Sequence, residues 1–421
     1  MGPPSKRQRR SNSTECSSDN ICQPATHLEK DSWNGFCEIE SEPALFNVML
    51  REFGVKGVKV QEVVSLDEEL MVFLNQPIYG LIFLFRWRED DADKQEASCP
   101  DGLWFANQTA SNACASVALL NIVNNIPDVD LGENLQQFKE FTMPFTPALR
   151  GDAINNFEFV KRVHNSFARP SDDAYYRKMD ILNSDLQLKG EATSSKRSQK
   201  QISGDEDATF HFIAFMPAMG QVWKLDGLER QPQAIGECSE EEDWLELARP
   251  NILDRMAAYE EEQIEFSILG LVRDPLPGLI QELAVNIRSL EVINERLMIS
   301  GAAAASTDAG ADSSMETSQS LEALQETLLG PDPFFGLTRA MIDEAVIPEA
   351  LSEEGSPSSL IEKREELREA QTALRGRVRE EQEAQDADDD HATGRRYDYG
   401  PAIRTWLRCL ARKQELAELL S

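Results

Sequence analysis

The sequence predicts a mixed globule of the α+β or α/β class, and three observations lead to it. The longest apolar runs, such as Ile78 to Phe85, are strand-sized and far short of the roughly 20 residues a bilayer requires. Other stretches carry apolar residues at helical spacing, as in Pro43 to Phe53 with its stripe of Leu45, Phe46, Met49, Leu50 and Phe53. From Trp33 to Asp274 the two kinds of pattern are intermixed rather than segregated, which implies helices packed around a central apolar sheet.

Taken in order, residues 1–31 are rich in Ser, Asn, Pro and charge and read as a disordered arm. Within it, Lys6-Arg7-Gln8-Arg9-Arg10 is a basic cluster of the kind that serves as a nuclear localisation signal, or simply a solvated charge run. After the helix at 43–53, the alternation from Val58 to Val64 and the dense run from Tyr79 to Trp87 predict strands. A helix over Ala113 to Asn125 follows, with Asn112 as its N-cap, then mixed helices through Phe167. Arg169 to Ala208 is a break, long for a connection inside a domain and therefore expected to be functional or disordered. Two short strands (Thr209–Met216 and Val222–Leu225), a helix from Trp244 to Glu262 and a strand from Ile264 to Val272 complete a domain spanning 32–275. Beyond it lie a helix (276–300, apolar over Leu279 to Met298), a low-complexity linker (301–320) and a helical extension (321–421). In the extension, Leu360, Leu367 and Leu374 recur every seven residues amid dense charge, predicting a solvated or coiled helix. Gln385 to Asp390 reads as an acidic breaker, and Arg395 to Leu420 as a last amphipathic helix.

The net charge of −32 on 421 residues repels phosphate backbones, which argues against nucleic acid and for a basic protein partner. Seven cysteines are scattered with no C-x-x-C pair, which fits reduced thiols, and the four histidines form no H-E-x-x-H or Cys/His cluster, so a zinc site is not expected. The N-terminus has no apolar segment of the secretory type.

Chemistry concentrates on Gln108, Cys114, His211 and Asp226. Cys114 falls in the first turn of its predicted helix, where the helix dipole and a nearby imidazolium favour a thiolate. Pro217-Ala218-Met219-Gly220 signals a turn between the two strands. A turn centred on Ala218 and Met219 sets His211 directly opposite Asp226, about 4.5–5.5 Å apart at Cβ, so the carboxylate can orient the imidazole. Gln108 can donate its amide to an oxyanion, with the Cys114 N–H as second donor. Read one at a time, a Cys at an apolar helix start, a His in an apolar strand and an Asp-Gly turn are ordinary structural features; read together they make a cysteine hydrolase. His164 is the rival base but has no carboxylate at hairpin register. Cys37 and Cys99 lie in turn-like stretches, and the acidic run after Cys238 raises its pKa.

The stretches Trp33–Phe46, Gly80–Trp87, Phe105–Ala115, His164–Arg169, Phe210–Leu228 and Asp243–Pro250 resemble, in order, the ubiquitin C-terminal hydrolase family of cysteine deubiquitinases. The resemblance implies a papain-like domain, a central antiparallel sheet flanked by helices, followed by a helical extension. It makes Cys114 the nucleophile, His211 the general base and acid, Asp226 its orienter and Gln108 the oxyanion donor, with ubiquitin as partner and no cofactor. It also makes the stretch at about 169–208 the crossover loop under which ubiquitin's tail threads. Arg395-Arg396-Tyr397-Asp398-Tyr399-Gly400-Pro401-Ala402-Ile403 looks like the extension of the proteasome-associated branch, which docks on a ubiquitin receptor of the regulatory particle. The sequence departs from animal members of that branch in lacking a Lys-rich tail after the last helix. The expectation is a deubiquitinase of nucleus and cytoplasm acting at the proteasome; a chromatin-associated deubiquitinase and a silent ubiquitin-binding scaffold are the alternatives.

Overall fold

The computed structural model describes residues 35–86, 94–168, 210–239, 241–260, 266–305, 327–348, 356–397 and a few positions from 402 to 409. Helix α1 (Pro43–Phe53) forms where its apolar stripe predicted it. Pro43 stands at its start, where a missing N–H costs nothing, and Leu45, Phe46, Met49, Leu50 and Phe53 are buried.

Six strands form one sheet: β1 (Val58–Glu62), β2 (Ile78–Arg86), β3 (Phe210–Ala218), β4 (Gln221–Leu225), β5 (Gln233–Glu237) and β6 (Ser267–Arg273). Their order is β1-β6-β2-β3-β4-β5, and every pairing is antiparallel. Strand β2 reads as an unbroken apolar run because both faces of the sheet are covered. Ile82 packs into the core cluster on one face, whereas Leu81, Phe83 and Phe85 pack into the other. On the first face, α3 (Cys114–Val123) lies across β3 and β2, joined by α4 (Gly132–Thr142), α5 (Pro147–Asn155) and α6 (Glu158–Asn165). On the second face, Ala248 and Ile252 of α7 (Leu245–Glu260) cover the sheet, near the short α2 (Glu68–Met71). Strand β5 escaped prediction: Gln233-Ala234-Ile235-Gly236-Glu237 is an edge strand without full burial, so its sequence carries no dense apolar signal.

Helix α8 (Leu276–Ala305) runs five residues into the stretch expected to be linker, the Ala-rich part of which is good helix former. It pairs antiparallel with α10 (Pro357–Arg396), while α9 (Arg339–Glu344) and a 3₁₀ turn at Pro333–Phe335 close the same core. The leucine repeat faces α8: Leu360 packs with Ile293, and Leu374 joins the cluster of Leu283, Ile287 and Val378. A buried amide pair fixes the register, Gln371 Nε2 donating to Asn286 Oδ1 at 3.1 Å and Asn286 Nδ2 to the Leu367 carbonyl at 2.9 Å.

The acidic stretch 385–390 is no breaker. Helix α10 continues through it to Arg396 because its acids have partners on the first domain. Asp388 Oδ2 accepts from Asn47 Nδ2 at 2.9 Å, Asp389 pairs with Arg51 at 2.5 Å and Glu381 with Lys59 at 2.6 Å. Arg395 pairs with Glu40, and Arg396 donates to Ser166 Oγ at 2.7 Å with its guanidinium 4.5 Å from the Phe167 ring centre. The terminal arm with its basic cluster, the stretch at 169–208, the linker beyond Ala305 and the chain after Cys409 lie outside the described residues.

Candidate active site

The β3–β4 hairpin supplies the histidine and the aspartate. Its turn consists of Met219 (φ 55) and Gly220 (φ 74), both in the left-handed region that a two-residue turn of this twist demands. The turn therefore sits one residue later than the sequence implied, with Ala218 paired to Gln221 and Ala214 to Leu225. Asp226 continues that register level with Ile213, not His211, so the expected direct opposition is corrected to a diagonal one. The displacement is two residues, an even number, so both side chains stay on one face. His211 Nε2 spans the diagonal and donates to Asp226 Oδ1 at 2.7 Å.

Both groups are almost fully buried. Burial opposes charge on His211 and is the largest single influence. The hydrogen bonds to Asp226 and Cys114, with the Coulomb attraction of those groups, outweigh it and push the imidazole pKa up to about 9. For Asp226 burial again acts against charge, but the His211 bond and charge, the Leu228 N–H at 2.9 Å and Lys224 hold the carboxyl below its ordinary range. The buried pair is therefore an imidazolium–carboxylate couple, and the imidazole's other partner is the Cys114 side chain.

Cys114 opens α3, but not as expected. Asn112 is no N-cap: its backbone is left-handed (φ 60), Ala113 occupies the cap position, and no side chain caps the helix. A cap residue needs extended backbone for its side chain to turn back to the helix N–H groups, and Asn112 instead makes the bend that delivers Cys114 to the helix start.

Gln108 approaches through its backbone. Its N–H donates to the Gly227 carbonyl at 2.8 Å, and Asn107 Nδ2 donates to the Glu229 carbonyl at 2.6 Å. Glycine at 227 lets the two segments approach closely, since a Cβ there would lie 3.0 Å from Val117 Cγ1 and 3.2 Å from Gln108 N, tighter than side chains ordinarily pack. The residue after Asp226 thus touches both the Gln108 loop and the helix of Cys114. Gln108 Oε1 is buried without a hydrogen-bond partner among the described residues, so the fold does not tie that end of the amide down.

Sequence reasoning missed the residues that fix this arrangement. Asn121 Oδ1 accepts from the Ala106 N–H (2.8 Å) while its Nδ2 donates to the Ala106 carbonyl (3.2 Å). Asn125 does the same for Trp104, at 2.8 and 2.7 Å. Two amides four residues apart, Asn121 on α3 and Asn125 in the turn just after it, thereby imitate a β-ladder and align the segment leading to Gln108 with the helix that starts at Cys114. Arg150, also buried, donates to the carbonyls of Leu103, Phe105, Thr142 and Met143. The available signal was a pair of asparagines four residues apart, Asn121 and Asn125, in a largely apolar stretch.

The rival residues stand apart. His164 is wholly buried; its Nε2 donates to the Cys37 carbonyl (2.7 Å), its Nδ1 faces Ser116 Oγ (2.8 Å), and burial lowers its pKa to about 4. Burial raises the Cys99 thiol, and burial with Glu242 and Asp243 raises that of Cys238. Among the described residues no cluster of His, Cys, Asp and Glu could hold a metal ion.

A base bound to a thiol at a helix start, oriented by a buried carboxylate, is the constellation of a cysteine hydrolase. Residues 36–257, more than half of the chain, match the family model described as ubiquitin carboxyl-terminal hydrolase, family 1. The chain belongs to this family. All four of Gln108, Cys114, His211 and Asp226 fall inside the matched span. This ubiquitin carboxyl-terminal hydrolase is a cysteine protease, with 37% identity over 266 residues (63% of this chain, 73% of the relative) to ubiquitin carboxyl-terminal hydrolase ubh-4 of Caenorhabditis elegans. Isozyme L5 of Dictyostelium discoideum is 35% identical over 57% of the chain and 62% of its own length. The BAP1 hydrolase of Xenopus tropicalis is 33% identical over 57% of the chain, but only 34% of its own length is covered. A Trichinella spiralis UCH37 crystallised with ubiquitin vinyl methyl ester aligns with a TM-score of 0.45 at 32% identity, covering 60% of this hydrolase and 87% of that chain.

Proposed function

We propose that the protein hydrolyses the peptide or isopeptide bond after ubiquitin's C-terminal glycine, and that it does so at the proteasome. The observation that carries the chemistry is the 2.7 Å bond that orients His211 on Asp226, with the Cys114 side chain near enough to the imidazole to favour its charged form. The Cys114 thiolate attacks the glycine carbonyl, forming a C–S bond. The resulting oxyanion takes hydrogen bonds from the Cys114 N–H and the Gln108 amide. His211 then passes its proton to the leaving amine as the C–N bond breaks, leaving a thioester on Cys114. Neutral His211 next takes one proton from water, whose oxygen attacks the thioester, expels the thiolate and releases ubiquitin's carboxylic acid, which loses its remaining proton to solvent. Asp226 stays ionised throughout and holds the ring orientation.

Ubiquitin as substrate is supported by family membership. The net charge of −32 suits the Arg-containing tail of ubiquitin. The helical extension carries the enzyme to a ubiquitin receptor of the proteasome regulatory particle, in the nucleus as well as the cytoplasm. Turnover of a ubiquitin–fluorophore amide by the purified full-length chain tests the chemistry, and no turnover defeats it. Recovery of the protein with the regulatory particle from a native lysate tests the location; recovery only with chromatin would replace the proteasomal reading.

A further inference from the structure

The first turn of α3 lacks the usual fastening. No side chain caps it, and the residue two before Cys114 is a non-glycine in left-handed backbone, a conformation costing on the order of 1 kcal/mol or more. Yet this turn must hold a sulfur beside an imidazole carried by a different element. Something other than a cap keeps it in place.

The group in position to do so is His164, a buried polar side chain that the proposed chemistry does not use. It lies near the end of α6, wholly buried, with Phe36 edge-on to its ring at 4.9 Å between centres. Its Nε2 meets the Cys37 carbonyl at 2.7 Å. A carbonyl only accepts, so the ring proton resides on Nε2. In a neutral ring Nδ1 is then an acceptor, and Ser116 must donate its hydroxyl across the 2.8 Å contact. Burial keeps the ring neutral at any working pH. Ser116 is the third residue of α3, fully buried, on the turn that Cys114 begins. A helical serine otherwise bends its hydroxyl back to its own helix, whereas this one is committed to another element. Next to His164, Asn165 Oδ1 accepts from the Cys37 N–H at 2.9 Å and its Nδ2 donates to the Gly35 carbonyl at 2.8 Å. The end of α6, the 35–37 segment and the start of α3 are thus tied together at one imidazole.

We infer that the Ser116–His164 pair is a positioning device that holds the first turn of α3 so that Cys114 stays aligned with His211. The inference rests on Cys114 being the nucleophile. Its test uses the full-length chain carrying Ser116→Ala, Ser116→Thr, His164→Gln and the Ser116→Ala/His164→Gln double change. For each, kcat and KM on a ubiquitin–fluorophore amide, the rate of Cys114 alkylation by iodoacetamide and the urea midpoint are measured. Ser116→Ala is expected to lower kcat about tenfold with KM within about twofold, roughly the worth of one hydrogen bond to the transition-state geometry. Ser116→Thr restores kcat to within about twofold, and the double change costs no more than the worse single one. Alkylation of Cys114 slows or loses its wild-type pH profile in the Ser116→Ala chain, a readout independent of ubiquitin. Single variants with wild-type kcat and alkylation but lowered urea midpoints overturn the inference, as does failure of Ser116→Thr to rescue. A wild-type chain that turns over no ubiquitin substrate defeats the proposed function instead, which keeps the two failures distinct.

Discussion

Replacing Asp226 by Asn tests the electrostatic core of the site, because the amide keeps the shape and removes the charge. The gap between the ordinary imidazole value of 6.5 and the about 9 of His211 corresponds to roughly 3 kcal/mol in favour of the imidazolium. This free energy has a definite pH window. A raised folded pKa contributes stability that is fully present below 6.5 and is lost as pH rises through about 9. Asp226, held below its ordinary 3.8, contributes stability present above that value and lost as pH falls through the lower folded one. With Asn at 226 only burial and the thiol act on His211, and its pKa falls toward or below 6.5. Urea unfolding of both proteins should therefore differ by about 3 kcal/mol near pH 6, with the gap narrowing to under about 1 kcal/mol by pH 9.5. NMR titration of the His211 ring locates both pKa values directly. A wild-type value near 6.5, or a stability difference that does not change between pH 6 and 9.5, would refute the reasoning.

Three further outcomes follow from the geometry. Gln108→Ala should lower kcat by about 10²–10³ with little change in KM, as expected for a donor whose bond matters in the transition state; an unchanged kcat on ubiquitin–fluorophore amide removes Gln108 from the oxyanion site. Gly227→Ala forces a methyl group to 3.0 Å from Val117 and 3.2 Å from Gln108, so it should cost about 1–3 kcal/mol in urea unfolding and slow turnover as well, and a neutral result would show that the two loops do not need to meet so closely. Lys59→Glu with Arg51→Glu sets like charges against Glu381, Asp388 and Asp389, so amide exchange over residues 381–396 should accelerate while that of β2 stays slow; unchanged exchange would mean α10 is not held there by these pairs.

Local pattern made much of the fold legible, and non-local partners account for the rest. Helix α1 could be read to the residue because its apolar stripe, proline and glycine all agree on one span. Strand β2 was visible because burial on both faces leaves no polar residue to interrupt it. Strand β5 was not, since an edge strand's main-chain bonds leave little trace in side-chain type. The acidic stretch 385–390 looked like a break only because its partners, Asn47 and Arg51, lie more than 330 residues away in the chain. At the site, the residue types that do chemistry were legible as a set. His211 and Asp226 were placed on a common face although the turn was misplaced, since an even shift preserves the face. The supports were not read: Asn121, Asn125 and Arg150 act on backbone carbonyls and amides, and only the spacing of the two asparagines left a trace in the sequence.

The central claim is that Cys114 attacks the carbonyl at ubiquitin's C-terminus. Its most direct test is to incubate the full-length chain with ubiquitin bearing a C-terminal vinyl ester and map the adduct by peptide mass spectrometry. One ubiquitin per chain, attached through the Cys114 sulfur and abolished in Cys114→Ala with the fold intact, is the predicted result. An adduct on any other cysteine, or labelling that survives Cys114→Ala, would contradict it.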